Sequence, residues 1–186
     1  MTAETTTRHH LFETAIGICG VAWSTHGLVA VTLPEKDRAE TEKRIVDKSK
    51  SLGAAEPPPA IAALVADIQR YLAGEPVDFS AVAVDLAGMD DFRRKLYTAL
   101  RTVGFGHTTT YGALAKELGA ADWEGARDVG EAMGRNPVPI VIPCHRVLAA
   151  GNKLGGFSAY GGTKTKQQLL ALEGVHFDRA PRLPGF

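Results

Sequence analysis

Asn136-Pro137-Val138-Pro139-Ile140-Val141-Ile142-Pro143-Cys144-His145-Arg146-Val147-Leu148 sets a single thiol directly behind an apolar run bracketed by prolines. Ile140, Val141 and Ile142 are too few for a helix of their own. Their β-branching, with Pro139 and Pro143 as punctuation, predicts a short, buried, extended segment that delivers Cys144 to the edge of a core. A free cysteine is most often just a small buried hydrophobe. Here His145 and Arg146 stand beside it, and groups that accept a proton or favour the thiolate turn a thiol into a nucleophile. Cys144 is therefore the candidate for chemistry.

Upstream, Leu11 to Leu33 alternates as strands do. Gly20–Ser24 and Leu28–Leu33 flank Thr25-His26-Gly27, which predicts a hairpin with a three-residue loop. Glu35 to Ser51 is highly charged, with Ile45 and Val46 as its apolar anchors, and predicts a solvent-facing helix. A break at Gly53 to Pro59 follows. Ala60 to Leu72 then stripes Ile61, Leu64, Ile68 and Leu72 at helical spacing up to Gly74, and Val82 to Leu86 reads as a further strand. The result is a small α/β domain over residues 1–88 in which nothing looks catalytic. Trp23 reads as core and His26 as a solvated turn residue.

From Gly88 onward the pattern becomes helical, which sets a second domain over residues 89–186. Asp90 or Asp91 can cap a helix striped by Phe92, Leu96, Leu100 and Val103. Tyr111 to Leu118 is a short helix stopped at Gly119, and another begins near Asp122 or Trp123. The pair is either a helix-turn-helix or a plain helical hairpin. The second helix carries Gly125, Ala126, Val129, Gly130 and Ala132 around Arg127. Each interior glycine costs roughly 1 kcal/mol of helix propensity, so the run suggests a face that another body approaches closely. Long polar side chains for reading a major groove are few. After Leu148 comes a loop with Gly151, Gly155, Gly156, Gly161 and Gly162, suited to one wall of a pocket. Thr163 to Leu172 reads as a helix ending at Gly174, with Glu173 where a carboxylate is electrostatically unfavourable unless it has a partner. Pro181 to Phe186 reads as a tail.

The chain has 186 residues, 45% of them hydrophobic, enough for a sizeable core. No apolar stretch is long enough to cross a bilayer and the first ten residues lack a secretory pattern, so a cytoplasmic protein with no membrane partner is expected. Two cysteines, Cys19 and Cys144, make a disulfide framework unlikely in such a compartment. His9, His10 and Cys19 lack paired-ligand spacing, so no metal is expected. Formal net charge is zero, but its distribution is uneven. Through Asp90 there are 8 Lys/Arg against 13 Asp/Glu, and afterwards 13 against 8. That asymmetry points to the second half as the one that faces phosphates, or else to ordinary solvated surface.

Pro143-Cys144-His145-Arg146-Val147, preceded by Asn136-Pro137-Val138-Pro139, resembles the acceptor motif of the O6-alkylguanine-DNA alkyltransferases. Tyr111 and Arg127 upstream, and Ser158 and Leu169 to Gly174 downstream, fall in that family's order from about Phe92 to Gly174. The resemblance implies an α+β chain with a ribonuclease H-like N-terminal domain and a C-terminal helix-turn-helix of winged-helix type. It implies direct-reversal repair without a cofactor, by a monomer that acts once. The partner would be double-stranded DNA bearing alkylated guanine, gripped in the minor groove through Arg127, Ala126, Gly130 and Tyr111. Cys144 would accept the alkyl group, with His145, Glu173, Asn136 and Tyr111 assisting. Ser158, Gly155, Gly156, Val147 and Pro139 would line the base pocket. Asp128, where the family has a small neutral residue, and the Ala159-Tyr160 extension depart from the pattern.

Two rival classes remain. A lesion-binding protein that transfers nothing would not need Cys144. A thiol hydrolase would need Cys144 and His145 to work as a pair, and neighbours on an extended chain point to opposite sides, an objection that a bridging water at a bend evades.

Overall fold

The computed structural model describes residues 6–120 and 123–176. The architecture is α+β. Strands β1 (Arg8–Thr14), β2 (Gly17–Ser24) and β3 (Gly27–Thr32) form an antiparallel sheet in that order. The β2–β3 turn is tighter than the expected three-residue loop. Ser24 pairs with Gly27, so only Thr25 and His26 turn, and a register shift lies between Ala22 and Trp23. Gly27 has φ +136, and a Cβ there would stand 2.6 Å from the Ala83 carbonyl oxygen, so the close approach of the Ala83 backbone requires glycine.

Successive residues of a strand face opposite sides. Cys19 and Val21 enter the main core with Ile61, Leu64 and Ile68, whereas Ala22 and Ala30 meet Ile45 on the other face. Ile45 belongs to α1 (Arg38–Ser49), whose first turn is capped by Asp37 accepting from the Glu40 amide at 2.9 Å. Helix α2 (Pro59–Leu72) starts on proline and buries the expected stripe together with Tyr71. The expected strand at Val82 to Leu86 reduces to a single bridge between Leu28 and Val84. Leu28 donates to Ala83 and Asp85 donates back to Leu28, and the pairing goes no further. Trp23 is core and His26 is exposed, as read.

Asp90 caps α3 (Asp91–Leu100) through the Arg93 amide at 2.8 Å. Strand β4 (Thr109–Thr110) leads into α4 (Tyr111–Glu117), capped by Thr110, and pairs in parallel with β5 (Val147–Leu148). Helix α5 (Trp123–Gly134) packs against α4 and is tied to α3 by the Tyr97 hydroxyl, which donates to the Ala132 carbonyl at 2.8 Å. Asp122, one of the two expected starts, lies outside the described residues, as does the tail from Pro181. Helix α6 (Thr163–Leu172) closes the described chain and stops at Gly174 as expected.

The acceptor stretch is buried but not extended. The Ile142 amide donates to the Val138 carbonyl at 2.9 Å, closing a helical turn, and Ile140 takes φ 75. Pro137, Pro139 and Pro143 lack the N–H groups that a strand ladder needs. Asn136 supplies a better partner. Its side-chain nitrogen donates to the Ile142 carbonyl at 2.7 Å and its oxygen accepts from the Val138 amide at 3.0 Å, so one side chain clasps both ends of the turn. Burial of Ile140, Val141 and Ile142 offsets the left-handed backbone at Ile140.

The small residues of α5 divide by role. A Cβ on Gly125 would stand 2.0 Å from the Ala120 carbonyl oxygen, so that glycine answers to the chain's own turn between α4 and α5. At Gly130 the nearest neighbour is the Tyr111 ring at 4.0 Å. Gly125→Ala should therefore destabilise by roughly 1–3 kcal/mol of overpacking. Gly130→Ala should gain up to about 1 kcal/mol of helix propensity. Thermal melts of the two variants, expected to move in opposite directions, check the distinction.

Candidate active site

Cys144 opens a 3-10 turn over Cys144–Arg146, set between the clasped turn and β5. That bend removes the objection to neighbouring Cys and His side chains working together, because the residues are not on an extended strand. Cys144 is 6% exposed and lines a cavity of about 790 Å³ with Tyr111, Ala126, Arg127, Gly130, Gly155 and Ser158. Small-molecule sites run from about 300 to 1,000 Å³. A cleft of about 440 Å³ behind the turn, lined by Phe79, Arg101 and Pro143, does not include Cys144.

Of the residues expected around the pocket, Tyr111, Arg127, Ala126, Gly130, Gly155, Gly156 and Ser158 share the large cavity with the thiol. Pro139 instead lines a narrow cleft on the sulfur's other side, with Asn136, Lys48 and Ser158. Val147 is fully buried and outside both. It pairs with Thr109 of β4 and its carbonyl is taken by a lysine, which leaves it structural. Arg127 and Asp128 are exposed on α5; Tyr160 is exposed too, and does not line the cavity.

Burial pushes the Cys144 thiol up. The Asn136 side chain and the ammonium groups of Lys166 and Lys48 pull the other way. Lys166 escaped notice in the sequence because α6 reads as polar at that point. It is fully buried, donating to the Val147 carbonyl at 2.6 Å and the Gly156 carbonyl at 3.2 Å, and its nitrogen sits 5.8 Å from the centre of the Tyr111 ring. Desolvation lowers it to about 8, against the attraction of Cys144. It ties the acceptor strand to the glycine-rich wall.

His145 is fully buried, and burial holds it below the usual imidazole range although Glu173 opposes that shift. Its Nε2 lies 2.7 Å from Glu173 Oε1. Its Nδ1 is buried with no hydrogen-bond partner among the described residues. Glu173, just past the end of α6, has the specific partners its position called for. Oε1 accepts from Tyr71, His145 and Arg146, and Oε2 accepts from Arg146 and from the Gly106 amide at 3.1 Å. Burial alone would raise this carboxyl, but the hydrogen bonds of His145, Arg146 and Tyr71 bring it down to about 2.

Tyr71 corrects the expectation that the first half contributes nothing to the site. Its hydroxyl donates to Glu173 at 2.6 Å and lies 3.0 Å from His145 Nε2. In the sequence it is one more apolar-compatible position beside Leu72, and partners 74 and 102 residues away leave no local signal. Cys19, by contrast, is inert. Burial raises it to about 12 with only Thr14 in opposition. Among the described residues no three His, Cys, Asp or Glu side chains gather as metal ligands, and no helix is long and apolar enough to cross a membrane.

Comparison with known proteins places this geometry. Residues 91–175 match the family model described as 6-O-methylguanine DNA methyltransferase, DNA binding domain. Residues 7–86 match the ribonuclease-like domain of the same enzyme. A methylated-DNA–protein-cysteine methyltransferase of Mycolicibacterium paratuberculosis is 42% identical over 149 residues, covering 78% of this chain and 87% of that one. One from Methanothermobacter thermautotrophicus is 34% identical, covering 86% and 81%. The crystal structure of Mycobacterium tuberculosis OGT in complex with DNA superposes with a TM-score of 0.72 at 33% identity, covering 89% of this chain and 92% of that one.

The Glu173 cluster has a pH signature. With the carboxyl near 2 when folded and near its ordinary 4.5 when unfolded, the unfolded chain binds more protons between those values. Stability therefore is full above about 4.5 and falls as the pH drops through 2, by an amount on the order of 3 kcal/mol. Glu173→Gln should lower stability at neutral pH and flatten that acid limb. Urea midpoints measured between pH 2 and 6 for both proteins read it directly.

Proposed function

The chain belongs to the 6-O-methylguanine DNA methyltransferase family, and from that premise we propose that Cys144 is the acceptor that takes an alkyl group from the O6 oxygen of guanine in duplex DNA. The activity itself is direct-reversal repair by a protein-cysteine methyltransferase. What carries the assignment to Cys144 is the shared cavity, which the thiol lines together with Arg127, Ala126 and Gly130 of α5 and with Gly155, Gly156 and Ser158.

An alkyl group on guanine O6 is unreachable inside a stacked duplex, so the nucleotide must rotate out, at a cost of a few kcal/mol. The α5 face fits a narrow groove, because Ala126 and Gly130 let backbone come close while Arg127 projects outward to occupy the gap. We assign this face to the minor groove. The base then enters the cavity that Tyr111 and the glycine-rich wall line together, where Ser158 offers a hydroxyl to it.

Ionised Glu173 can only accept, so the hydrogen between it and His145 sits on Nε2 and the Nδ1 lone pair is left as a base. Nδ1 takes the Cys144 proton through a water. The thiolate, favoured by Lys166 and Asn136, attacks the alkyl carbon: a carbon–sulfur bond forms, the carbon–O6 bond breaks, and its electron pair stays on guanine. The Tyr111 hydroxyl, kept protonated by burial and by Cys144, supplies a proton to the departing base. The thioether is stable, so one molecule repairs one lesion, as a monomer and with no cofactor. The same reading gives residues 89–186 the chemistry and the DNA contact, and residues 1–88 the support.

Cys144→Ser should abolish transfer from duplex DNA carrying labelled O6-methylguanine while leaving DNA binding intact. Intact-protein mass reads the first and gel mobility the second. Stoichiometric transfer by the folded serine variant would sink the assignment.

Arg127→Ala should slow repair in duplex by tenfold or more yet leave reaction with the free modified base near parental. Asp128→Ala removes an exposed carboxylate from the face that meets phosphates, so it should tighten DNA binding most at low salt. Titrations at two ionic strengths distinguish that from a change in the chemical step.

A further inference from the structure

Tyr71 sits in the first half of the chain, yet its hydroxyl is inside the proton relay of the second. Its ring is fully buried and held edge-on by Phe79 at 5.7 Å and Phe105 at 6.1 Å, so the hydroxyl has a fixed direction. The hydrogens can be assigned by counting. Ionised Glu173 has none, so the 2.6 Å contact uses the only hydrogen that Tyr71 has. The 2.7 Å contact uses the hydrogen on His145 Nε2. Both end on the same oxygen, Oε1, which also accepts from Arg146 Nη2 at 3.0 Å. Tyr71 and His145 are therefore competitors for one acceptor, 3.0 Å apart.

We propose that Tyr71 is a positioning residue that sets the proton affinity of His145 by sharing Glu173 Oε1, which makes the N-terminal half a working part of the transfer chemistry. This rests on His145 acting as the base for Cys144. A carboxylate oxygen already holding the tyrosine hydrogen attracts the imidazole hydrogen less strongly. His145 thus stays neutral, and its Nδ1 stays free to accept, down to a lower pH than it would beside an unshared carboxylate. The other groups that bear on His145 are the guanidinium of Arg146 within its own turn and the ammonium of Lys166 on α6. The two cations oppose a charge on the ring. Of these, Arg146 also interacts with the Tyr71 hydroxyl, so loss of the hydroxyl bears on it as well as on Glu173.

Tyr71→Phe removes only that oxygen and keeps the ring contacts. Single-turnover transfer from saturating duplex substrate, followed from pH 5 to 9, should show the acid limb of the rate profile moved up by about one pH unit, the equivalent of one hydrogen bond. Below the limb the rate falls about tenfold, and above it the variant matches the parent. A profile that superposes on the parent, or one lowered equally at every pH with its limb unmoved, overturns the proposal. His145→Gln is measured alongside. If it keeps both rate and limb, the base assignment itself fails and this proposal with it. If it loses the limb while Tyr71→Phe leaves it in place, only the role of Tyr71 is refuted. Tyr71→Ala, which also loses the ring packing, shows by its melting temperature what a purely structural defect looks like.

Discussion

The structure is organised by one buried carboxylate. Glu173 lies where a helix end repels negative charge and where water is excluded, two conditions that would each drive it to protonate. It remains ionised because four donor groups arrive from three places: the α2 hydroxyl of Tyr71, the imidazole and guanidinium of the turn that carries Cys144, and the Gly106 amide ahead of β4. A buried ion of this kind contributes little net stability compared with an apolar replacement, but removing any one partner is costly. Its consequence is geometric. Elements distant in sequence can satisfy the charge in only one arrangement, and that arrangement fixes His145 through its Nε2.

Around that anchor the acceptor turn is held from both ends. Asn136 clasps the backbone ahead of Cys144, and Lys166 grips the Val147 carbonyl behind it while reaching the Gly156 wall. The left-handed Ile140 is tolerable because both flanks are fixed and its side chain is buried. A thiol on a looser loop would have its reach to the cavity vary by ångströms, and displacement at carbon is sensitive to misalignment on that scale.

What the sequence made legible follows the range of the interactions involved. Helix starts with local chemistry, such as Asp90, and stripes such as Ile61, Leu64, Ile68 and Leu72, are visible because cause and effect lie within a few residues. Much of the site was legible for a different reason, a resemblance over one contiguous stretch. The failures are long-range or compensatory. Ile140 to Ile142 look like a strand because β-branching favours one; the clasp by Asn136 and the missing proline donors override that preference. Val82 to Leu86 has strand composition, but it pairs only through a single bridge to Leu28. Tyr71 and Lys166 carry no local mark of their role, since each acquires it from atoms that folding brings from elsewhere.

The two cysteines show why burial alone does not make a thiol inert. Both are driven toward the protonated form by desolvation, and Cys19, with one weak hydroxyl partner, stays there. Cys144 meets the same penalty with an amide and two ammonium groups acting on it, in a cavity that α5 also lines. A thiol kept protonated is protected against casual oxidants and electrophiles, because reactivity follows the thiolate fraction. An acceptor that is consumed by its reaction needs that protection more than a catalyst that turns over. In the transfer we propose, thiolate is required only when a base fills the cavity, excludes water and strengthens every charge interaction around the sulfur.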